Sequence, residues 1–303
     1  MRVDPFYVSN LSGSLDKTQQ SLQNLTAELS SGVSVNSLSD NPVSAGQNVV
    51  LLNQIQQDDS FTQSSNLVTG QLNVADSVLG SVVTQLTQAI SLATSANNGT
   101  MNTNNVQSVG NQISGILSEV QTLANSNYQG QYIFAGTQTS TIPFTTSNSN
   151  PPQTTYAGDQ GVNYLSAPNG QKIQLNVPGS QVFMGPGTKS VFGALNALVA
   201  DYSSGTVNTT QAATDTAALN TALNYVSQQR VTIDNSITQV TAAADAVTNV
   251  GTQLTSAQNN LMQADFSQVS THLSLSETQQ TALEDVIAQL GAATNSLFSK
   301  LPG

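Results

Sequence analysis

The chain of 303 residues contains no cysteine and no tryptophan, and one histidine, His272. Disulfides and thiolate metal sites are therefore excluded, and multi-histidine metal binding or histidine catalysis has almost nothing to work with. Charge is the next shortage. Only 8% of residues are Asp, Glu, Lys or Arg, against about 25% in an ordinary domain. The net charge is −11, and no Lys or Arg lies between Lys17 and Lys172. Without a basic stripe there is nothing to neutralise phosphates, so nucleic acid and anionic membrane surfaces are disfavoured as partners. Long apolar runs are missing too: Val49–Leu52 is among the longest, far short of the ~20 residues of a transmembrane helix. The opening MRVDPFYVSNLSGSLDK has no continuous apolar stretch and does not read as a cleaved secretory signal.

What is present is a polar, Ser-, Thr-, Asn- and Gln-rich chain with apolar residues stepping by three and four. One run is Val8, Leu11, Leu15, Thr18, Leu22, Leu25 and Leu29; a second is Val68, Leu72, Ala75, Leu79, Val82, Leu86, Ala89 and Ala93; a third is Val106, Val109, Ile113, Ile116, Val120 and Leu123. This is the spacing of helices that bury one stripe. A further helix is expected from about Pro42 to Asp58, with Asp40 or Asn41 as N-cap and proline in the first turn. After the middle of the chain, a frame runs Leu223, Val226, Arg230, Ile233, Ile237, Val240, Ala244, Val247, Gly251, Leu254, Gln258 and Leu261. Another runs Val269, Leu273, Ser276, Gln280, Leu283, Ile287, Leu290, Thr294, Leu297 and Leu301. The two do not join, which places a break near Ala264–Phe266. Leu29–Gly32 ends the first run in the same way.

The middle differs in kind. Six of nine prolines fall between Pro143 and Pro186, and turn signals such as Asp159-Gln160-Gly161 and Pro168-Asn169-Gly170 separate short β-type runs at Gln153–Ala157, Val162–Leu165, Gln171–Val177 and Gln181–Met184. These read as a small antiparallel β insert leaning on the helices. The expected class is mainly α: N- and C-terminal segments paired in an elongated antiparallel helical rod or coiled coil, with the β insert between. The expected segments are 1–32 with 265–303 as terminal coiled helices that gain order on assembly, 33–138 with 189–264 as the helical rod, and 139–188 as the outer insert.

Motifs for chemistry are weak. Ser14–Lys17 matches S-x-x-K and Ser39–Asn41 spells S-D-N, but no K-T-G accompanies them. Asp58-Asp59 and Glu284-Asp285 are helix neighbours pointing about 100° apart, so they do not converge. No catalytic residue, metal ligand or cofactor is assigned, and an enzyme is not expected.

Three stretches carry a family resemblance. MRVDPFYVSN, followed by the leucine run and ELSSGVSVNSLSDNPVSAGQ, resembles the N-terminus of the flagellin superfamily, with Ser30, Ser31, Gly32, Asp40 and Pro42 at its characteristic break. LANSNYQGQYIFAGTQTSTIPF, containing Tyr132, Phe134, Gly136, Pro143 and Phe144, is similar to the hook-associated junction branch of that superfamily. ETQQTALEDVIAQLGAATNSLFSKL resembles the superfamily's C-terminal coiled helix. The sequence departs from the family after Arg230, where a glycine is usual, and at Val33, where a basic residue is usual.

The resemblance implies an extracellular structural subunit of the bacterial flagellum, exported unfolded by the type III apparatus and assembled helically between hook and filament. Its implied partners are copies of itself, the first hook-associated protein, flagellin and an export chaperone. The assembly seams would be Val8, Leu11, Leu15, Leu22, Leu25 and Leu29 at one end. At the other they would be Val269, Leu273, Leu283, Ile287, Leu290, Leu297 and Leu301. Two alternatives are filament flagellin and a secreted adhesin that stacks Tyr156, Tyr164 and Phe183 of the insert on sugars.

Overall fold

The computed structural model describes residues 5–35, 41–98, 100–147 and 153–298, the helical backbone at 5–8 and 293–298 without side chains. Among the described residues the α-helices are α1 (Pro5–Ser31), α2 (Pro42–Ala96), α3 (Thr103–Ala124), α4 (Gly179–Phe183), α5 (Val191–Ser203), α6 (Thr209–Met262) and α7 (Phe266–Phe298). The strands are β1 (Asn127–Tyr128), β2 (Gln131–Tyr132), β3 (Phe144–Thr146), β4 (Thr154–Tyr156), β5 (Tyr164–Ser166) and β6 (Lys172–Gln174). This is the mainly helical class with a β insert that the periodicity predicts. The chain divides into two compact units, residues 1–57 with 250–303, and residues 58–249.

In the unit of residues 1–57 and 250–303, α1 packs along α7. The contact covers a single stripe of α1. On α1, Leu11, Leu15, Thr18, Leu22, Leu25 and Leu29 are half-buried, while most of their neighbours are exposed. The two helices end at joints that meet. Gly32 stops α1 in the left-handed conformation, φ 72°, its N–H bonded to the Glu28 carbonyl at 2.8 Å, a glycine-terminated helix end. The Ala264 N–H then donates to the Gly32 carbonyl at 3.0 Å and the Ser34 N–H to the Met262 carbonyl at 2.7 Å. Asp265 opens α7 by accepting from the Ser267 and Gln268 N–H groups at 2.9 and 3.2 Å, an N-cap. The break near Ala264–Phe266 is thus a paired joint that stitches the two chain ends in antiparallel order. α2 begins with Asn41 accepting from the Ser44 N–H at 3.0 Å and Pro42 at the first helical position. It then continues without a break from Pro42 to Ala96, so the expected separate helix at 42–58 and the second seam are one element.

In the unit of residues 58–249, the core is built by α2, α3, α5 and α6. The whole second seam, Val68 to Ala93, is buried, and stepping back by three and four adds Ser65, Phe61 and Asp58. On α3, Val106, Val109, Ile113, Ile116 and Val120 are buried. The seam of α6 departs from expectation. Gln229 and Ser236 are buried at 8% and 6% exposure, whereas Arg230 and Ile237 flank them half-buried. A reading that favours apolar letters slips one residue here, because two of the buried positions on α6 are polar. Tyr202 of α5 is fully buried, and its hydroxyl donates to the Ala93 carbonyl of α2 at 3.0 Å.

The β region is three separate two-stranded antiparallel hairpins, β1–β2, β3–β4 and β5–β6. Hairpins this small need an outside core, and an aromatic cluster supplies it. Phe144 packs 5.1 Å from both Tyr156 and Phe192 and edge-on 5.3 Å from Phe183, which is edge-on to Phe134 at 5.3 Å. Such pairs add about 0.5–1.5 kcal/mol each beyond burial. The expected strand Gln181–Met184 is instead α4 and its cap. Val182 and Phe183 are both fully buried, and consecutive strand residues would point to opposite faces, so a helical turn is what lets both enter one core.

Candidate assembly surfaces

The terminal pair carries the predicted seams. On α7, Val269 and Ser276 are buried, and Leu273, Gln280, Leu283 and Leu290 are half-buried. Ile287 lies on the same stripe but at its exposed edge, 36%. The structure therefore brings together Leu11, Leu15, Leu22, Leu25 and Leu29 with Val269, Leu273, Leu283 and Leu290 on two facing helices. Val8, Leu297, Leu301 and Asp40 lie outside the described side chains. A fully buried leucine contributes roughly 1.5–3 kcal/mol. A half-buried one withholds part of that, so the pair leaves apolar area in water. Phe266, Leu275 and Val286 of α7 are also exposed, at 51%, 53% and 38%.

The Tyr132–Phe144 stretch is a polar knot under the hairpins. Phe134 is fully buried, and its carbonyl accepts from the Tyr156 hydroxyl at 2.9 Å and the Gly179 N–H at 2.8 Å. Gly136 turns left-handed, φ 74°, against Asp159, whose carboxylate and carbonyl oxygens a Cβ would overlap. The Asp159 carboxylate accepts from the Thr137 N–H at 2.6 Å, the Gly161 N–H at 3.0 Å and the Thr137 hydroxyl. These donors favour the anion, led by the hydroxyl, and hold its pKa below the usual carboxylate value. Asn176 donates to the Gly136 and Gly161 carbonyls at 3.2 and 3.1 Å. Asn125, past the end of α3, exchanges hydrogen bonds with the Phe144 backbone at 2.8 and 2.9 Å, and the Pro143 carbonyl accepts from Ala157 at 2.8 Å. The motif residues thus anchor the insert to α3. Sequence reading took Asp159 only as part of a turn signal and Asn125 only as part of a motif stretch, and did not single out Asn176, which sits two residues before a turn proline, the available signal.

Two further features sit in this unit. Arg230 of α6 meets Asp76 of α2 in a two-pronged ion pair, Nη2 to Oδ2 at 3.0 Å, which raises the guanidinium pKa. Asp201 of α5 and Asp215 of α6 adjoin one another. Burial first, then the neighbouring carboxyl, lifts Asp201 to about 6. A recess of about 420 Å³ is lined by Gln160, Gln181, Met184 and Tyr225, among others, with the Lys189 ammonium 5.1 Å from the Tyr225 ring centre. Its walls are amide, thioether and phenol, with no converging acid and base.

Of the strings suggestive of catalysis, Ser39 and Asp40 lie outside the described residues. The Ser14 hydroxyl donates to its own helix at Asn10 O, 2.9 Å, and Lys17 is exposed, as is His272. Of the aromatics considered for sugar stacking, only Tyr164 is open, at 55%; Phe183 is fully buried and Tyr156 is half-buried with its hydroxyl engaged. Among the described residues there is no cluster of three metal-ligating side chains. No described helix is long and apolar enough to cross a membrane.

Residues 7–139 match the bacterial flagellin N-terminal helical region. Flagellar hook-associated protein 3 of Salmonella typhimurium is 32% identical over 139 residues, 46% of this chain and 44% of that protein, so less than half of that relative is spanned. In fold, a Vibrio parahaemolyticus protein provisionally assigned as flagellar hook-associated superposes with TM-score 0.67 at 16% identity, over 74% of this chain and 100% of its own. Hook-associated protein 3 of Legionella pneumophila superposes with TM-score 0.62 at 13% identity, over 70% and 98%. In sequence over 139 residues, and in fold over most of its length, this chain resembles flagellar hook-associated protein 3.

Proposed function

We propose that this chain is a structural subunit of the bacterial flagellum that joins the hook to the filament. The observation that carries the reading is the terminal helix pair, whose leucine stripes are only half-covered by one another, in a chain 32% identical to hook-associated protein 3 over 139 residues. A stripe left half-open is suited to completion by neighbouring copies. On this reading residues 1–32 and 265–303 are the assembly core, disordered before assembly. Residues 33–138 and 189–264 are the rod, and 139–188 the outer insert. The subunit leaves the cell unfolded through the flagellar type III apparatus after release from a chaperone. Outside, it assembles helically between the first hook-associated protein and flagellin, and its work is mechanical, without catalysis.

The test is a strain lacking this chain. Hooks without filaments, and flagellin shed into the medium, are expected; normal filaments would overturn the reading. Filament flagellin is the second reading, favoured by the match to the flagellin N-terminal helical region. A long polymer formed from this chain alone would support it. The adhesin reading is weakened, because of its three aromatics Phe183 is spent on the insert's own core and Tyr156 is half-buried, which leaves Tyr164 alone exposed.

A further inference from the structure

We propose that Asn169, at the tip of the β5–β6 hairpin, is a site of spontaneous deamidation that converts it through a succinimide to aspartate and isoaspartate. The tip itself supplies the chemistry. The Ala167 N–H donates to the Gln171 carbonyl at 2.8 Å and closes the loop, and the Gly170 N–H donates to the Ala167 carbonyl at 2.8 Å. Pro168 and Asn169 thus form the corner of a three-residue turn. Gly170 follows with φ 84°, the left-handed position that such a turn calls for. All three residues are exposed, and a Cβ added to Gly170 would meet nothing within 4 Å. The Gly170 nitrogen therefore lies beside the Asn169 amide with no side chain of its own to shield it, open to water and base. The chain's other Asn-Gly pair, Asn98-Gly99, has its glycine outside the described residues.

One contact favours the reaction and one opposes it. Asn169 Oδ1 accepts from the Gln171 N–H at 3.0 Å. That donor draws electrons from the amide carbon and is in place for the negative charge the oxygen gains when the carbon is attacked. Against this, the Gly170 bond to Ala167 must open first, which slows the reaction about fivefold for one exposed backbone bond. The Gly170 nitrogen then loses its proton and bonds to Asn169 Cγ, the Cγ–Nδ2 bond breaks, and Nδ2 leaves as ammonia. Water opens the ring by splitting either the new bond, giving aspartate, or the original peptide bond, giving isoaspartate. One water enters and one ammonia leaves, with no oxidant or cofactor. Two asparagines of the same insert lack this arrangement. Asn176 is buried, its amide engaged by the Gly136 and Gly161 carbonyls, and Asn163 and Asn176 precede Tyr164 and Val177, whose side chains crowd the attacking nitrogen. Either product adds a negative charge to a chain of net charge −11. Isoaspartate also lengthens the loop backbone, and Ala167, which closes that loop, is buried with Phe61 of α2 and Val247 of α6. Conversion at the tip therefore reaches the hairpin's seat on the helices.

The test holds the purified full-length chain in warm, mildly alkaline buffer and maps its chymotryptic peptides by mass spectrometry, with an isoaspartyl methyltransferase as the probe for isoaspartate. The Asn169 peptide should exchange NH2 for OH well ahead of those carrying Asn163 and Asn176, and should accept the methyl label. Its rate should lie within about tenfold of that in guanidinium chloride, since one backbone bond is all that the fold sets against it. Conversion at Asn169 no faster than at Asn163 and Asn176 would overturn the proposal, and so would a folded chain slower than that tenfold margin. Asn169→Ser should keep the helical content and lose the methyl label from this peptide; a label that persists there would place the reaction elsewhere and overturn the assignment. In a second measurement, the isoaspartyl form, separated from the parent by anion exchange, should show about fivefold faster hydrogen exchange at the Ala167 amide. Unchanged exchange there would overturn the coupling to the helices.

Discussion

Arg230 grips Asp76 with two parallel hydrogen bonds across α2 and α6, and it is the ion pair recorded among the described residues. Both side chains are partly open, 41% and 23%, so solvent screens the attraction. Arg230→Gln with Asp76→Asn in a double-mutant cycle is expected to give a coupling of about 0.5–1 kcal/mol in urea unfolding, shrinking at high salt. Arg230→Lys should recover little, since an ammonium cannot form the fork. A coupling near zero at low salt would show that the fork does not fix these helices.

Gly136 and Gly130 offer a paired test of the hairpin knot. Both have positive φ, 74° and 81°, but an added Cβ strikes Asp159 at position 136 and meets open space at 130. Gly130→Ala should cost about 1 kcal/mol of backbone strain. Gly136→Ala should cost that and more, about 3 kcal/mol, because the Asp159 turn must shift. Equal losses would mean that the knot yields without penalty.

Two carboxyls pull the pH dependence in opposite directions. Asp201 is raised to about 6 in the folded chain, from 3.8. The folded state holds that proton more tightly than the unfolded one, so its contribution is present below about pH 4 and is lost as pH rises through 6. Asp159 is lowered, so its contribution is present above the ordinary carboxylate value and is lost as pH falls. Asp201→Asn should therefore raise Tm at pH 7 relative to the parent and flatten the decline between pH 4 and 7. Asp159→Asn should lower Tm at pH 7. A parent-like profile for Asp201→Asn would remove the carboxyl pair as a source of pH dependence.

The half-covered terminal pair should open before the rest. In hydrogen exchange on the purified chain, amides of α1 and α7 are expected to exchange well ahead of buried α2 positions such as Leu79 and Val82, which are fully buried. Limited proteolysis should trim the same two segments first. Protection in α1 and α7 equal to that at Leu79 would contradict the proposal that these ends gain order only on assembly.

By itself the sequence determined the inward stripes of α1, α2 and α3 and the breaks at Gly32 and Ala264–Phe266, because a three-four step of apolar residues and a left-handed glycine act locally, whatever the partner. It also marked Tyr132–Phe144 as a special stretch, through resemblance. Only the tertiary structure decided that Gln229 and Ser236 are buried while Arg230 and Ile237 beside them are half-buried. The same holds for Gln181–Met184 coiling into a helical turn and for Asp159 and Asn176 tying the knot around Gly136. These depend on which surface arrives from a distant part of the chain. Burial then overrides the polarity of a residue when a facing group satisfies it, and a partner that is far away in sequence leaves no periodic trace.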